Sequence, residues 1–329
     1  MVVNYNRPKK LAAALASISA QSVPAEVIVV DNGSLQRISA APGIILIEND
    51  RNAGFARAVN QAIARASGEF IALLNNDAVA DPLWLEEMLR CMQSPATGMV
   101  ASKILVAANP SIIDKAGHLM YPDGQNRGRG SGEVDRGQYD REEEVLWPDG
   151  CAALYRRSML DEIGGFDETF FAYGEDAELG LRARIAGWRC VYAPRALVFH
   201  ERAATLGLTS VRRVSLIERN RVLLAVKHFP ARLLLLNPFY YAARLAAGAI
   251  AAVAGRGEAS LFRSKLTLAA ALLRGDAEAL LFIPAILRKR WRGAWPRRLN
   301  ASQICDLIRR NRISLRALST EVAPPSAAA

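Results

Sequence analysis

Only four of the 329 residues are cysteine (Cys91, Cys151, Cys190 and Cys305), and no two form a Cys-x-x-Cys pair. That scarcity excludes a disulfide framework and a structural zinc ribbon, and it fits a reducing compartment. Glycine is missing where a dinucleotide-binding turn needs it. The first apolar run, 1–3, continues as Asn4-Tyr5-Asn6-Arg7-Pro8 and not as G-x-G-x-x-G, which argues against a nicotinamide oxidoreductase. Long hydrophobic runs are scarce too. The longest, 233–254, is divided by Arg244 into charge-free pieces of 11 and 10 residues. A spanning helix needs about 20, so a membrane span is not favoured. The chain opens without a basic stretch or a long apolar one, and no secretory leader is expected there. No internal repeat, helix-turn-helix or zinc motif is found, and nucleic acid is not an expected partner.

What the sequence does have is a globular balance, 51% hydrophobic and 22% charged, and a net charge of +10 that is unevenly spread. Residues 1–200 hold 20 Lys and Arg against 25 Asp and Glu, a net −5. Residues 201–329 hold 22 against 7, a net +15. A mildly acidic body carries a strongly basic second section.

Within the body, β-branched runs at 1–3, 26–30, 43–47 and 69–74 alternate with helical stretches at 8–20, 54–66 and 82–92. Pro8 and Pro82 suit first helical turns, and Asp81 is placed to cap. Continuous apolar strands between helices predict an α/β fold, a parallel sheet covered on both faces, with ligands beyond the strands' carboxyl ends. Glycine-rich, charged sequence at 121–149 has no apolar periodicity and is expected to be a flexible loop. Order resumes with strands at 151–155, 189–192 and 196–199 and helices from Arg157 and over 175–186. The remainder is mostly helical and basic.

Polar residues follow four strands in turn: Asp31-Asn32-Gly33-Ser34, Asn52-Ala53-Gly54-Phe55, Asn75-Asn76-Asp77 and His200. Each also has a bland explanation. Asp-Asn-Gly-Ser and Asn-Asn-Asp are favourable turns, Asn52 can cap a helix, and an isolated histidine is commonly structural. Their conjunction around one crevice is far harder to obtain by chance than any one of them.

VVNYN (2–6), VVDNGS (29–34), NAGFARAVNQAI (52–63), LLNND (73–77) and GGFDETFFAYGEDAELGLRARIAGW (164–188) followed by YAPRALVFH (192–200) resemble, in that order, the family 2 glycosyltransferases of GT-A fold. The details are similar to the rhamnosyltransferase branch of bacterial cell-surface glycan synthesis, and the resemblance covers about residues 1–205. It implies a Rossmann-like, mostly parallel sheet and a nucleotide-sugar donor, a dTDP- or UDP-sugar with dTDP-rhamnose first. Tyr5, Asp31, Asn52, Gly54, Asn76 and Asp77 would hold the nucleotide-sugar. Asp77 matches the last residue of the family's DxD-type motif, which holds Mg2+ or Mn2+ on the diphosphate, although Asn75 and Asn76 stand where acidic residues often occur. His200 matches a histidine that completes the metal or phosphate site in some relatives.

Glu175-Asp176 is the second chemical centre. Acidic residues in a first helical turn are stabilised by the dipole, by about 0.3–1 kcal/mol, and that alone accounts for one of the pair and for Glu178. The resemblance implies that Asp176 is the general base of an inverting transfer, with Glu175 beside it. Trp147, Asp149 and Gly150 are the matching acceptor contacts, and Arg182 is expected in a structural ion pair. The acceptor implied is a hydroxyl of a glycan or a lipid-linked saccharide.

In the basic section, the apolar segment 279–287 leads into Arg288-Lys289-Arg290-Trp291-Arg292, then Trp295, Arg297 and Arg298. That pattern suits an anionic membrane surface, and an ordinary solvated helical cap explains it as well. The expected organisation is a catalytic domain at 1–205, with nucleotide-sugar-binding (1–100) and acceptor-binding (101–205) halves, then a membrane-associating helical region at 206–318 and a disordered tail at 319–329. The enzyme would sit in the cytoplasm, peripheral to the inner membrane. The alternative is a non-catalytic membrane-associated scaffold with a degenerate transferase fold. The first strand, 1–3, is short, and a start further upstream is a further expectation.

Overall fold

A computed structural model describes residues 1–39, 42–201, 207 and 209–320, so the tail beyond Thr320 lies outside the described residues. The elements run β1 (Val2–Asn4), α1 (Pro8–Ser19), β2 (Val27–Asp31), β3 (Ile44–Glu48), α2 (Phe55–Arg65), β4 (Phe70–Leu74), β5 (Ala78–Ala80) and α3 (Trp84–Arg90). The middle of the chain forms β6 (Thr97–Val106), β7 (Asn109–Lys115), β8 (His118–Met120), β9 (Asn126–Gly128), β10 (Glu143–Glu144), β11 (Ala152–Arg156), α4 (Arg157–Ile163), α5 (Glu175–Ile185) and β12 (Arg189–His200). Five helices follow: α6 (Val211–His228), α7 (Ala231–Val253), α8 (Lys265–Arg292), α9 (Ala301–Arg310) and α10 (Leu315–Thr320).

Strands β1, β2 and β3 are parallel, and their register sets Asn4 beside Asp31 and Asp31 beside Glu48. The larger sheet runs β4-β11-β6-β12-β10. Met1 joins the two sheets, its amino group bonding to Ala72 O at 2.7 Å and its carbonyl accepting from Leu74 N at 3.1 Å. Those two bonds straddle Leu73 in the pattern of a parallel ladder. The sheet is mixed rather than mostly parallel, because β11 runs antiparallel between β4 and β6. The strands expected separately at 189–192 and 196–199 form one, β12, whose register with β6 shifts between Ala193 and Leu197. Pro194, which cannot donate to a ladder, lies within that break.

The segment 121–149 is not a featureless loop. Its strands β9 and β10 pair with β8 and β12, Asp123 is fully buried, and Lys103 reaches across to Asp135 (2.6 Å) and Asp140 (2.7 Å). Charged partners elsewhere in the fold hold it where apolar periodicity is missing.

The basic helices share a core with the α/β body: Trp147, Phe170 and Leu181 pack with Leu223, Phe229 and Ile304. Part of the second section's charge is therefore internal counter-charge. Lys227 pairs with Asp167 and Glu178, Arg244 with Asp123 and Glu218, and Arg298 with Glu162. The cluster at 288–298 is correspondingly less free than expected. Lys289 binds Asp167 and Thr169, Arg290 donates to the carbonyls of Val226 and Phe229, and Trp295 packs on the core, while Arg288, Trp291, Arg292 and Arg297 stay exposed.

Helix α7 is long and apolar enough to cross a membrane by length and composition. Its polar residues tie it sideways to the protein instead, since Asn237 donates to Asp123 O, Tyr241 to Asp276 and Arg244 to Asp123 and Glu218.

Candidate active site

The carboxyl ends of β1, β2 and β4 are joined through side chains. Asp31 Oδ1 accepts from Asn4 Nδ2 (3.2 Å) and from Ser34 Oγ (2.5 Å), and Asn4 Oδ1 accepts from Asn76 Nδ2 (3.0 Å). Asn32 extends the chain to the next crossover, donating to Asn52 Oδ1 and Gly54 O, each at 3.2 Å. Tyr5, Asn32, Asn52, Asn76 and Asp77 line one large cavity, while Asp31 and Gly54 stand behind this wall.

Gly54 turns the chain into α2 with φ +92°, and a Cβ there would lie 2.6 Å from the Phe171 ring. The Phe171 carbonyl accepts from the first N–H groups of α2, Phe55 (2.7 Å) and Ala56 (3.2 Å). The segment leading into α5 is thereby fastened to the strand-end wall, and it brings Glu175 and Asp176 to the same cavity.

Asp77 and His200 lie side by side. His200 Nδ1 is bonded to the fully buried Asp114 (2.6 Å), which leaves Nε2 turned to Asp77 Oδ1 at 3.5 Å. Burial opposes a charge on this imidazole, but Cys151, Asp114 and Asp77 outweigh it, and the pKa lies well above the usual histidine value. Asp77 Oδ1 is buried and makes no hydrogen bond. A buried carboxylate oxygen without a hydrogen bond, facing a carboxylate-backed imidazole, is a donor set that fits a divalent cation once Nε2 gives up its proton.

Just ahead of β11, which pairs with β4, Asp149 Oδ2 binds Lys115 Nζ (2.7 Å) and His118 Nε2 (2.8 Å), and Oδ1 accepts from Cys151 N (2.9 Å). Burial raises the Asp149 pKa, and the Lys115 charge with the His118 hydrogen bond more than reverses that, holding it well below the ordinary range. Asp176 accepts from Gly150 N (3.1 Å) and Ala177 N (2.8 Å). Its pKa is raised, first by burial and then by the charge of Asp149. Burial and then Asp176 push Glu175 well above the carboxylate range, so it favours the neutral acid. Oxygen and nitrogen atoms of His118, Asp149 and Asp176 lie within 4.8 Å of one another, but Lys115 already supplies the positive charge there.

Trp147 is displaced from its expected role as an acceptor contact. It is fully buried beneath His118, their rings stacked at 5.9 Å and 24°, so it supports the wall rather than forming it. Glu178 is no mere helix-end charge either. It is fully buried and pairs with Arg182 (2.8 Å), Lys227 (2.7 Å) and His228 (2.9 Å), which gives Arg182 its anticipated ion pair.

Asp114, Lys115 and His118 were not singled out by the sequence. They follow the apolar pair Ile112-Ile113, the same strand-then-charge signal that marks Asp31 and Asp77.

The pattern that defines Glycosyl transferase family 2 matches residues 1–164. The chain carries a family 2 glycosyltransferase domain. Over 235 residues this glycosyltransferase is 29% identical to an N-acetylglucosaminyl-diphospho-decaprenol L-rhamnosyltransferase of Mycobacterium tuberculosis, across 63% of this chain and 76% of the relative. It is also 29% identical, over 198 residues, to the O-antigen biosynthesis protein RfbC of Myxococcus xanthus, across 55% of this chain and 15% of that one. A solved structure of GalNAc-T7 with UDP, GalNAc and Mn2+ superposes with a TM-score of 0.59 at 15% identity, covering 86% of this chain and 56% of that one. The fold of the glycosyltransferase is GT-A, a mixed sheet flanked by helices with a helical C-terminal region. The family match stops before Glu175, Asp176 and His200, which reach the cavity through α5 and β12.

Proposed function

We propose that the glycosyltransferase moves a sugar, rhamnose from dTDP-rhamnose, to a hydroxyl of a polyprenyl-diphosphate-linked saccharide, with inversion at the anomeric carbon. The single observation that carries this reading is the placement of Asp176 in the same cavity as the Tyr5–Asn52–Asp77 wall. The strand-end wall holds the nucleotide and Asp176 faces the sugar's far side. A raised pKa suits Asp176 to general base work, since a base near the working pH both exists deprotonated and gains from taking the proton. Gly150 N–H and Ala177 N–H orient the carboxylate. The acceptor oxygen, losing its proton to Asp176, attacks in line as the nucleoside diphosphate departs.

Asp77 and His200, backed by Asp114, would hold Mg2+ or Mn2+, which supplies Lewis-acid neutralisation of the leaving diphosphate. The relative's decaprenol-linked substrate supports a lipid-linked acceptor and work at the cytoplasmic face of the membrane. The catalytic and helical parts expected at 1–205 and 206–318 remain the working division, with the acceptor side built by both.

A panel of dTDP-, UDP- and GDP-sugars, with a polyprenyl-diphosphate N-acetylglucosamine acceptor, tests the reading. Release of dTDP and a product of inverted anomeric configuration are expected. Retained configuration, or no release with any donor, overturns it.

A further inference from the structure

The cavity is larger than its polar chemistry requires. It encloses about 1170 Å³, whereas sites for a single small ligand run to about 300–1,000 Å³. Beyond the carboxylates its lining turns apolar and changes elements. Helix α7 contributes Leu245, Gly248 and Ala252, and α8 contributes Leu268 and Leu272. Spacings of three, four and seven put each set on one face of its helix. The two helices lean on different supports, α8 along α6 and α7 against α10, and this leaves a groove between them. The groove is open at Gly248, where a Cβ would meet no atom within 4 Å.

Polar and apolar limbs meet at the start of α6. Arg212 lies over the Phe171 ring (5.6 Å) and Arg213 over the Tyr173 ring (5.9 Å), on the segment that delivers Asp176. Both arginines line the cavity, at the N-terminus of an 18-residue helix whose dipole adds to their charge. An occupant of the whole cavity thus has a hydroxyl-bearing end at Asp176, an anionic middle at Arg212 and Arg213, and a long apolar end. The same helices keep Val253 91% and Leu266 83% exposed, as a chain passing into a lipid phase requires.

We infer that the α7–α8 groove seats the polyprenyl chain of the acceptor, with Arg212 and Arg213 on its diphosphate. This rests on the lipid-linked acceptor proposed above and adds where and how the lipid is recognised. The acceptor's chain, and not only its sugar, is then a determinant of specificity.

The test is a binding titration of the full chain by calorimetry with a C20 polyprenyl diphosphate that carries no sugar, beside inorganic diphosphate and short-chain phosphatidylglycerol. The C20 probe should bind at least about tenfold more tightly than either. Gly248→Trp fills the open space and should remove that advantage, while Gly248→Ala keeps it. Retained nucleotide diphosphate binding and an unchanged melting temperature show that the Trp variant is folded. The inference is overturned if phosphatidylglycerol binds as well as the probe, if Gly248→Trp binds the probe like the wild type, or if the groove proves to be buried in a dimer that the probe does not dissociate. Tight probe binding without sugar transfer from any donor would instead count against the proposed reaction alone.

Discussion

His200 Nδ1 is held by Asp114 Oδ2 at 2.6 Å, and that bond decides which way the imidazole faces. Asp114 comes from β7 and His200 from the end of β12, so two strands combine to aim Nε2 at Asp77.

Loss of the backing carboxylate should therefore appear in metal affinity. Asp114→Asn is expected to weaken Mn2+ binding by about 10–100-fold, with turnover recovering at saturating metal. Calorimetric Mn2+ titration measures it. Unchanged affinity would show that Asp114 does not orient a ligand.

Asp176→Asn is expected to lower kcat by about 10²–10⁴-fold while nucleotide binding persists. A base acts deprotonated, so kcat/KM should fall as pH drops through the raised pKa of Asp176. Asp149 contributes to that elevation, and Asp149→Asn should move the acid limb to lower pH. A limb that stays in place, or a fast Asp176→Asn enzyme, assigns the proton to another group.

Glu175 makes an opposite kind of statement, about stability. Its folded pKa lies above its unfolded value, so the folded state binds the extra proton and loses stability as pH rises between the two. Glu175→Gln removes that loss. Melting temperatures across pH 5 to 8 should show the variant gaining on the wild type toward the alkaline end, and parallel curves would refute the assignment.

Glu178 is fully buried beside Arg182, Lys227 and His228, and its pKa is held well below the carboxylate range because the Arg182 and Lys227 cations, helped by the His228 hydrogen bond, outweigh burial. Its contribution is present above the unfolded pKa and lost as pH falls through the folded one. Glu178→Ala leaves those cations uncompensated and should cost about 3–5 kcal/mol in chemical denaturation. A cost under about 1 kcal/mol would mean that solvent reaches the network.

Legibility differed from residue to residue. Asp31, Asn52, Asn76 and Asp77 were visible because each follows a short apolar strand, and Glu175-Asp176 because acidic residues open a helix. Trp147 was misplaced since burial beneath His118 depends on α5, whose Gly180 receives its Cβ. Lys289, Arg290 and Arg298 read as a membrane-facing cluster because their inward partners, among them Asp167, Phe229 O and Glu162, are remote in sequence.

By itself the sequence determined the main strand and helix alternation of residues 1–74, the polar residues at the strand ends and the family they resemble. Those features arise from periodicity, turn chemistry and capping, which act over a few neighbouring residues. Tertiary structure alone decided that β11 runs antiparallel, that Asp114 and His118 join the site, and that Lys227, Arg244, Lys289 and Arg298 of the basic section pair with carboxylates of the body. Each is a choice of partner across long stretches of chain, made by burial and charge together, and no local pattern records it.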